Sequence, residues 1–181
     1  LLPILEAEME ALGDTIRAVV IADYEKTSAV APEVGHLLDE EAGGAVAAFR
    51  GLLADARADG LDPVLVTGST VLVDDDLAER FMGEAKSWLA EHGCATDLTY
   101  QEEAGFHVLT GSGEQWCPRV YVAMITDLFQ RGVTRCLVGT RGLLGEGWDA
   151  NKVNVLVNLA SVTTSMSVNQ LRGRSIRLDP D

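Results

Sequence analysis

The sequence predicts a single α/β domain, in which helices cover both faces of a parallel sheet. Short apolar runs rich in valine and isoleucine alternate with longer amphipathic segments. Such strand–helix alternation is typical of parallel sheets. The chain has 181 residues, of which 47% are hydrophobic, which is enough for one well-cored domain and too little for two ordinary ones. We therefore treat residues 1–181 as a single domain.

The predicted elements follow one another in a regular order along the chain. Apolar residues at helical spacing predict a first helix over 4–12, and a run rich in valine and isoleucine predicts the first strand. Four more such runs are expected to form strands, with helices in most of the intervals. The predicted strands are 16–24, 64–67, 106–113, 134–140 and 153–160, and the further helices are 45–60, 74–93, 117–132 and 165–177.

Residues at the expected helix ends support this assignment. Three acids, Asp74 to Asp76, suit a helix N-terminus, and Gly93 is a typical stop. Pro118 suits the first turn of the next helix, and Gly132 suits its end. Ser165 is a candidate N-cap for the last helix.

Charge is distributed unevenly over the chain. The net charge is −14, and residues 1–103 hold 22 acids and 6 bases, whereas residues 104–181 hold 6 acids and 8 bases. An acidic surface repels nucleic acid through long-range fields. Contact with a polyanion is therefore expected only locally, in the C-terminal part.

The remaining composition indicates a cytoplasmic protein without a membrane span or a structural metal. No apolar run is long enough to cross a bilayer. The three cysteines are far apart and odd in number, which fits a reducing cytoplasm. Neither the cysteines nor the three histidines show metal-ligand spacing, so we expect no metal ligands in this chain.

A glycine-rich segment, "GTRGLLGEGWDA" from Gly139 to Ala150, follows the predicted strand 134–140. Such a run usually lets the backbone approach a phosphate. Its spacing does not match the Gly-x-Gly-x-x-Gly dinucleotide fingerprint, and the chain has no Gly-Lys pair for a phosphate-binding P-loop. The acidic run "DEEA", residues 39–42, does not end an apolar strand and so does not match the acidic box of an ATPase. The lysine and the magnesium-binding carboxylate that nucleotide hydrolysis needs are therefore missing from this chain.

A second motif, "QLRGRSIR", begins about twenty residues later. On a helix, Gln170, Arg174 and Arg177 lie at i, i+4 and i+7 and therefore share one face. The planar fork of a guanidinium group suits phosphate oxygens. Two arginines on one helix face therefore indicate a phosphate-binding surface, although a solvated basic helix is the simpler alternative.

The two motifs together resemble motifs V and VI in the second motor domain of superfamily 2 helicases. The resemblance is most specific over residues 137–177. It implies a RecA-like fold and a divided active site, in which ATP and Mg²⁺ are held mainly by a first RecA-like domain that is absent from this chain. The chain would then be a fragment of a larger protein.

The resemblance also implies roles for individual residues. Arg174 and Arg177 would act as arginine fingers on the γ-phosphate, and Gln170 would order that face. Gly147 and Asp149 would lie near the ribose. The backbone of a nucleic acid, DNA more readily than RNA, would contact positions at the ends of two strands. Those positions are Gly139, Thr140, Thr67, Gly68 and Ser69.

Trp148 has two alternative roles in this scheme. It could stack on a base, or it could pack the glycine-rich loop against the sheet or against the first domain.

Two other functions stay open from the sequence. One is a non-catalytic, helicase-like module that binds proteins through its acidic N-terminal part. The other is a small nucleotide-binding enzyme of Rossmann type, which tight binding of a nicotinamide or flavin cofactor would reveal.

Overall fold

Seven strands form one sheet in the computed structural model, which describes residues 1–22, 44–144 and 148–159. The strands are β1 Ala18–Ala22, β2 Val64–Val66, β3 Val71–Asp74, β4 Leu98–Glu103, β5 Phe106–Gly111, β6 Cys136–Thr140 and β7 Val155–Asn158. The α-helices are α1 Leu2–Leu12, α2 Ala45–Leu53, α3 Asp75–Glu91, α4 Pro118–Arg131 and α5 Arg141–Leu144. Two 3₁₀ segments, Gly13–Thr15 and Ala56–Leu61, follow α1 and α2.

The sheet is mixed, and this corrects the expectation of a purely parallel sheet. The strand order is β4-β5-β3-β2-β6-β1-β7. The pairs β2–β6, β6–β1 and β1–β7 are parallel. The pairs β2–β3, β3–β5 and β5–β4 are antiparallel. Four neighbouring strands thus form a parallel half, and the other three form an antiparallel extension.

Two of the three antiparallel pairs, β2–β3 and β4–β5, follow from short connections. β2 and β3 are joined by the turn 67–70, and β4 and β5 are joined by residues 104–105. A parallel connection needs a crossover of about a dozen residues or more, so such short turns permit only hairpins. β4 was missed because several of its residues are polar and exposed, which weakens the apolar signal of a strand.

Helices cover both faces of the sheet, as expected. Successive side chains of a strand point to opposite faces, so Leu137 lies in the core beneath α3 and α4, whereas Cys136 and Val138 lie in the core beneath α1 and α2. All three residues are fully buried. The central strand β6 therefore contributes to both cores, which fixes its register strongly.

The predicted helix ends agree with the structure at α3 and α4. The side chain of Asp74 caps α3 by accepting a hydrogen bond from the amide of Asp76. Gly93 and Gly132 follow α3 and α4 with φ of 67° and 85°, a left-handed conformation that glycine adopts readily. Pro118 is the first residue of α4.

The helix predicted over 45–60 is shorter in the structure. α2 ends at Leu53, and Asp55 adopts an extended conformation from which its side chain accepts a hydrogen bond from the amide of Arg57. This local bond starts a separate 3₁₀ segment, because aspartate competes well for nearby backbone amides. Within the described residues, no helix is both long and apolar enough to cross a membrane. The last predicted helix, 165–177, lies outside the described residues.

Candidate functional site

The carboxyl ends of the parallel strands meet at one edge of the sheet. Val66 of β2 pairs with Gly139 of β6, Gly139 pairs with Ile21 of β1, and Ile21 pairs with Asn158 of β7. The residues that follow these positions therefore emerge side by side. Ligands of open α/β sheets bind at this edge, and we take it as the candidate site.

The turn after β2 contributes one wall of the candidate site. Thr67 is fully buried, and its hydroxyl oxygen accepts hydrogen bonds from the amides of Thr70, at 3.0 Å, and Ser69, at 3.3 Å. The carbonyl of Thr67 accepts a 2.8 Å hydrogen bond from the hydroxyl of Tyr121 in α4. Thr67 therefore supports the turn from inside, and the exposed positions at its tip are Gly68 and Ser69.

Gly139 lies within β6, where close packing requires a glycine. A Cβ atom at this position would lie 2.4 Å from Cδ1 of Leu144 and 2.9 Å from the carbonyl oxygen of Val66. Leu144 is itself buried and belongs to α5. Gly139 thus allows α5 to fold back onto the sheet directly after the strand. In contrast, a Cβ at Gly142 would meet nothing within 4 Å.

Thr140 ends β6 and is half-buried, next to Arg141 at the start of α5. Its strand is central and flanked by β2 and β1. Thr140 is consequently adjacent to the turn that carries Gly68 and Ser69. The structure thus brings together, at one edge, the predicted nucleic-acid positions of two separate segments.

The loop after α5 is anchored on both sides of Asp149. Trp148 is half-buried and packs against the core beneath α3 and α4. Its indole Nε1–H donates a 2.8 Å hydrogen bond to Oγ1 of Thr126 in α4. Ala150 is buried, whereas Asp149 between these two residues is exposed. The structure thus packs Trp148 against the core and α4, whereas stacking on a base stays a prediction.

An open groove of about 480 Å³ lies between α4 and this loop. Its floor and walls combine aliphatic groups, an indole and several polar side chains. The lining residues include Arg119, Val122, Ala123, Asp127, Leu143 and Trp148. Because one wall is Trp148 itself, the shape of the groove depends on how the indole is held.

Asp74 and Cys136 have raised pKa values and lie near the amino ends of β2 and β6, away from this edge. Burial raises the pKa of the Asp74 carboxyl to about 6, with further contributions from nearby Asp76, Asp62 and Asp75. Burial raises the pKa of the Cys136 thiol to about 12, which keeps it protonated and unreactive. Within the described ranges, no group of three or more histidine, cysteine, aspartate or glutamate side chains could hold a metal ion.

Four of the predicted site residues lie outside the described residues. These are Gly147, Gln170, Arg174 and Arg177. Their assigned roles stay predictions.

Sequence reasoning did not single out two residues that shape the site, Tyr121 and Thr126. Both lie on α4 and act through contacts with residues that are far away along the chain. The helical pattern around them shows which face of α4 is apolar, but it does not indicate which hydroxyl bonds to which partner. The one hint in the sequence was the tryptophan directly before Asp149 in the glycine-rich segment.

No protein-family model matches the chain, and neither a curated protein nor a solved structure matches it.

Proposed function

We propose that this chain is the second, RecA-like motor lobe of a nucleic-acid-dependent ATPase of the helicase type. The observation that supports this most is the meeting of two separate segments at one sheet edge. They are the exposed turn at Gly68–Ser69 and the strand end at Thr140. These are positions where the helicase resemblance expects contacts with nucleic acid, and Asp149, where it expects a nucleotide contact, lines the groove along α4.

In the proposed mechanism, the two lobes divide the chemistry between them. A first lobe binds ATP and Mg²⁺ through its phosphate loop and acidic residues, which this chain lacks. This chain contributes Arg174 and Arg177, whose guanidinium groups stabilise the charge that develops on the transferred phosphoryl group. An arginine finger contributes roughly 10³- to 10⁵-fold in rate. Because the fingers come from a separate lobe, hydrolysis depends on closure of the two lobes.

Nucleic acid would bind at the same edge through its backbone. Gly68 and Ser69 form the exposed tip of the turn after β2, and Thr140 lies beside this turn on the neighbouring strand. Contacts of this kind position a phosphate backbone without reading bases. Such binding is independent of sequence, as a translocating motor requires. Thr67 would act indirectly, by shaping the turn.

The decisive experiment measures ATP turnover with and without single-stranded DNA, in a protein that carries this chain together with a phosphate-binding lobe. Arg177→Ala should lower turnover by about 10³-fold or more while leaving DNA affinity nearly unchanged. Arg172→Ala is the matched control, because Arg172 lies in the same motif but not at the i, i+4, i+7 positions. Normal turnover in Arg177→Ala would refute the finger assignment.

The isolated chain provides an independent check. It should bind ATP weakly and should not hydrolyse it, because it lacks the phosphate-loop lysine and the magnesium-binding carboxylate. ATP turnover by the pure chain would contradict the proposal that a separate lobe holds ATP and Mg²⁺. If no phosphate-binding lobe accompanies the chain in its intact protein, the helicase-like, non-catalytic module becomes the better explanation.

A further inference from the structure

Asp149 is an exposed residue held between two anchored neighbours. Ala150 is 2% exposed, and Trp148 packs on the core beneath α3 and α4. Loop residues with anchors on both sides are presented in a defined direction, whereas freely exposed loop residues are not. The residue that holds Trp148 therefore also affects the direction in which Asp149 is presented.

Thr126 accepts a hydrogen bond from the indole nitrogen of Trp148. It is buried, and its Oγ1 accepts the Nε1–H at 2.8 Å. The indole also borders the open groove along α4. The hydrogen bond therefore restricts the orientation of the ring on that side.

α4 is itself fixed in place by side-chain contacts on either side of Thr126. The residue after Thr126, Asp127, accepts a 3.0 Å hydrogen bond from the indole Nε1–H of Trp88 in α3 and pairs with Arg131 at 2.7 Å. At the other end of the helix, Tyr121 is bonded to the turn after β2. The helix that holds Trp148 is thus itself fixed to α3 and to the candidate site.

We infer that Thr126 is a positioning residue, which acts through Trp148 to hold Asp149 in place for a nucleotide. This inference rests on the proposed function, in which Asp149 lies near the ribose of ATP. In this role, Thr126 acts through the indole of Trp148 rather than by contacting the nucleotide. Its contribution is to reduce the number of directions in which the Asp149 carboxylate points, and such preorganisation increases affinity by lowering the entropic cost of binding.

The test compares two substitutions at this position. Thr126→Val keeps the branched shape of the side chain and removes the acceptor, whereas Thr126→Ser keeps the acceptor. In Thr126→Val, the indole N–H resonance of Trp148 should shift, and the backbone amides around Asp149 should exchange with solvent faster. Thr126→Ser should restore both signals towards the wild type.

The ligand measurement is an NMR titration of the whole chain with Mg²⁺–ATP. Thr126→Val should raise the Kd for ATP by roughly two- to tenfold, the range expected for one lost hydrogen bond. Thr126→Ser should have the same Kd as the wild type. Thr134→Val is the matched control. Thr134 is fully buried and its hydroxyl donates to the carbonyl of Asp62, so this variant loses a buried hydroxyl elsewhere. It should lower the melting temperature without altering ATP affinity.

Asp149→Ala separates a failure of this inference from a failure of the proposed function. If Asp149→Ala weakens ATP binding and Thr126→Val does not, Thr126 has no positioning role. If Thr126→Val and Thr134→Val weaken binding equally, the effect is general destabilisation and the inference is wrong. If Asp149→Ala leaves ATP affinity unchanged, the nucleotide contact of the proposed function is wrong. The same holds if the wild-type chain shows no ATP-dependent NMR shift. In either case the positioning role of Thr126 is wrong as well.

Discussion

The two halves of the sheet differ in how they are built and in what they carry. In the parallel half, β2, β6, β1 and β7 bring distant segments to one edge, where the candidate site lies. In the antiparallel half, short turns join β2 to β3 and β4 to β5, and α3 connects these two hairpins. Long crossovers therefore bring separate segments to the site, whereas of the two hairpins only β2–β3 contributes to it, through its turn at residues 67–70.

Burial follows the same division. β1 and β6 are buried along nearly their whole length, as expected for strands that helices cover on both faces. β4 lies at the edge and exposes several of its residues, including Glu102. A polar, charged edge strand resists pairing with other chains. The difference predicts unequal sensitivity to substitution in the two halves.

The largest expected effect is the loss of stability when a leucine in either half is replaced by alanine. Leu137→Ala in the central strand should lower the free energy of unfolding by about 4 kcal/mol, and Leu98→Ala in the edge strand by about 2 kcal/mol, because an edge collapses around a cavity more easily. Urea denaturation of both variants measures the difference. Equal losses would show that the halves are equally tightly packed.

A smaller effect is expected where β6 meets α5. Gly139→Ala should lower the free energy of unfolding by about 1–3 kcal/mol, because the new Cβ would collide with Leu144 and with the Val66 carbonyl. Gly142→Ala is the matched control in open space within α5, and it should be neutral or stabilising by up to about 1 kcal/mol. If both variants behave alike in denaturation, the close approach at Gly139 is not what requires a glycine.

The smallest effect concerns pH and lies in the antiparallel half. The pKa of Asp74 is about 6 in the folded protein, above the 3.8 of an unperturbed carboxyl. The folded state therefore binds this proton more tightly than the unfolded state, so stability increases as pH falls from about 7 towards 4 and is lost as pH rises through 6. Because Asp74 is half-exposed, solvent screening limits the gain to about 1 kcal/mol.

Asp74→Asn tests this pH dependence. The variant should lose the stability difference between pH 5 and pH 7 that Asp74 contributes, as measured by denaturation at the two pH values. Asp97→Asn, at an exposed position before β4, is the control and should keep the difference. An unchanged pH dependence in Asp74→Asn would mean that burial of this carboxyl has little energetic consequence.

Much of the parallel half could be predicted from sequence. The runs around Val19 and Val138 are apolar without alternation, which indicates strands buried on both faces, and Pro118 and Gly132 marked the ends of α4 correctly. The helicase resemblance assigned nucleic-acid contacts to positions at the ends of β2 and β6. The strand register places these positions side by side. For the segment with Gln170, Arg174 and Arg177, the prediction stays a prediction.

The antiparallel half and the support of the site could not be predicted in the same way. β3 is short and merges into the acidic start of α3, so its valines were not recognised as a strand beside β2. Gly139 was assigned to phosphate contact, whereas the structure also gives it a packing role against Leu144. The bond between Trp148 and Thr126 joins residues from different elements, and no local pattern contains that information.

The sequence by itself determined the α/β class, the helix ends on α3 and α4 and the glycine-rich strand end at Gly139. These features depend on side-chain periodicity and backbone preference, which act over a few residues. Only the tertiary structure decided the mixed sheet, the buried role of Thr67 and the anchoring of Trp148 on α4. Those depend on contacts between segments far apart in the chain, and such contacts exist only after the strands have paired and the helices have packed.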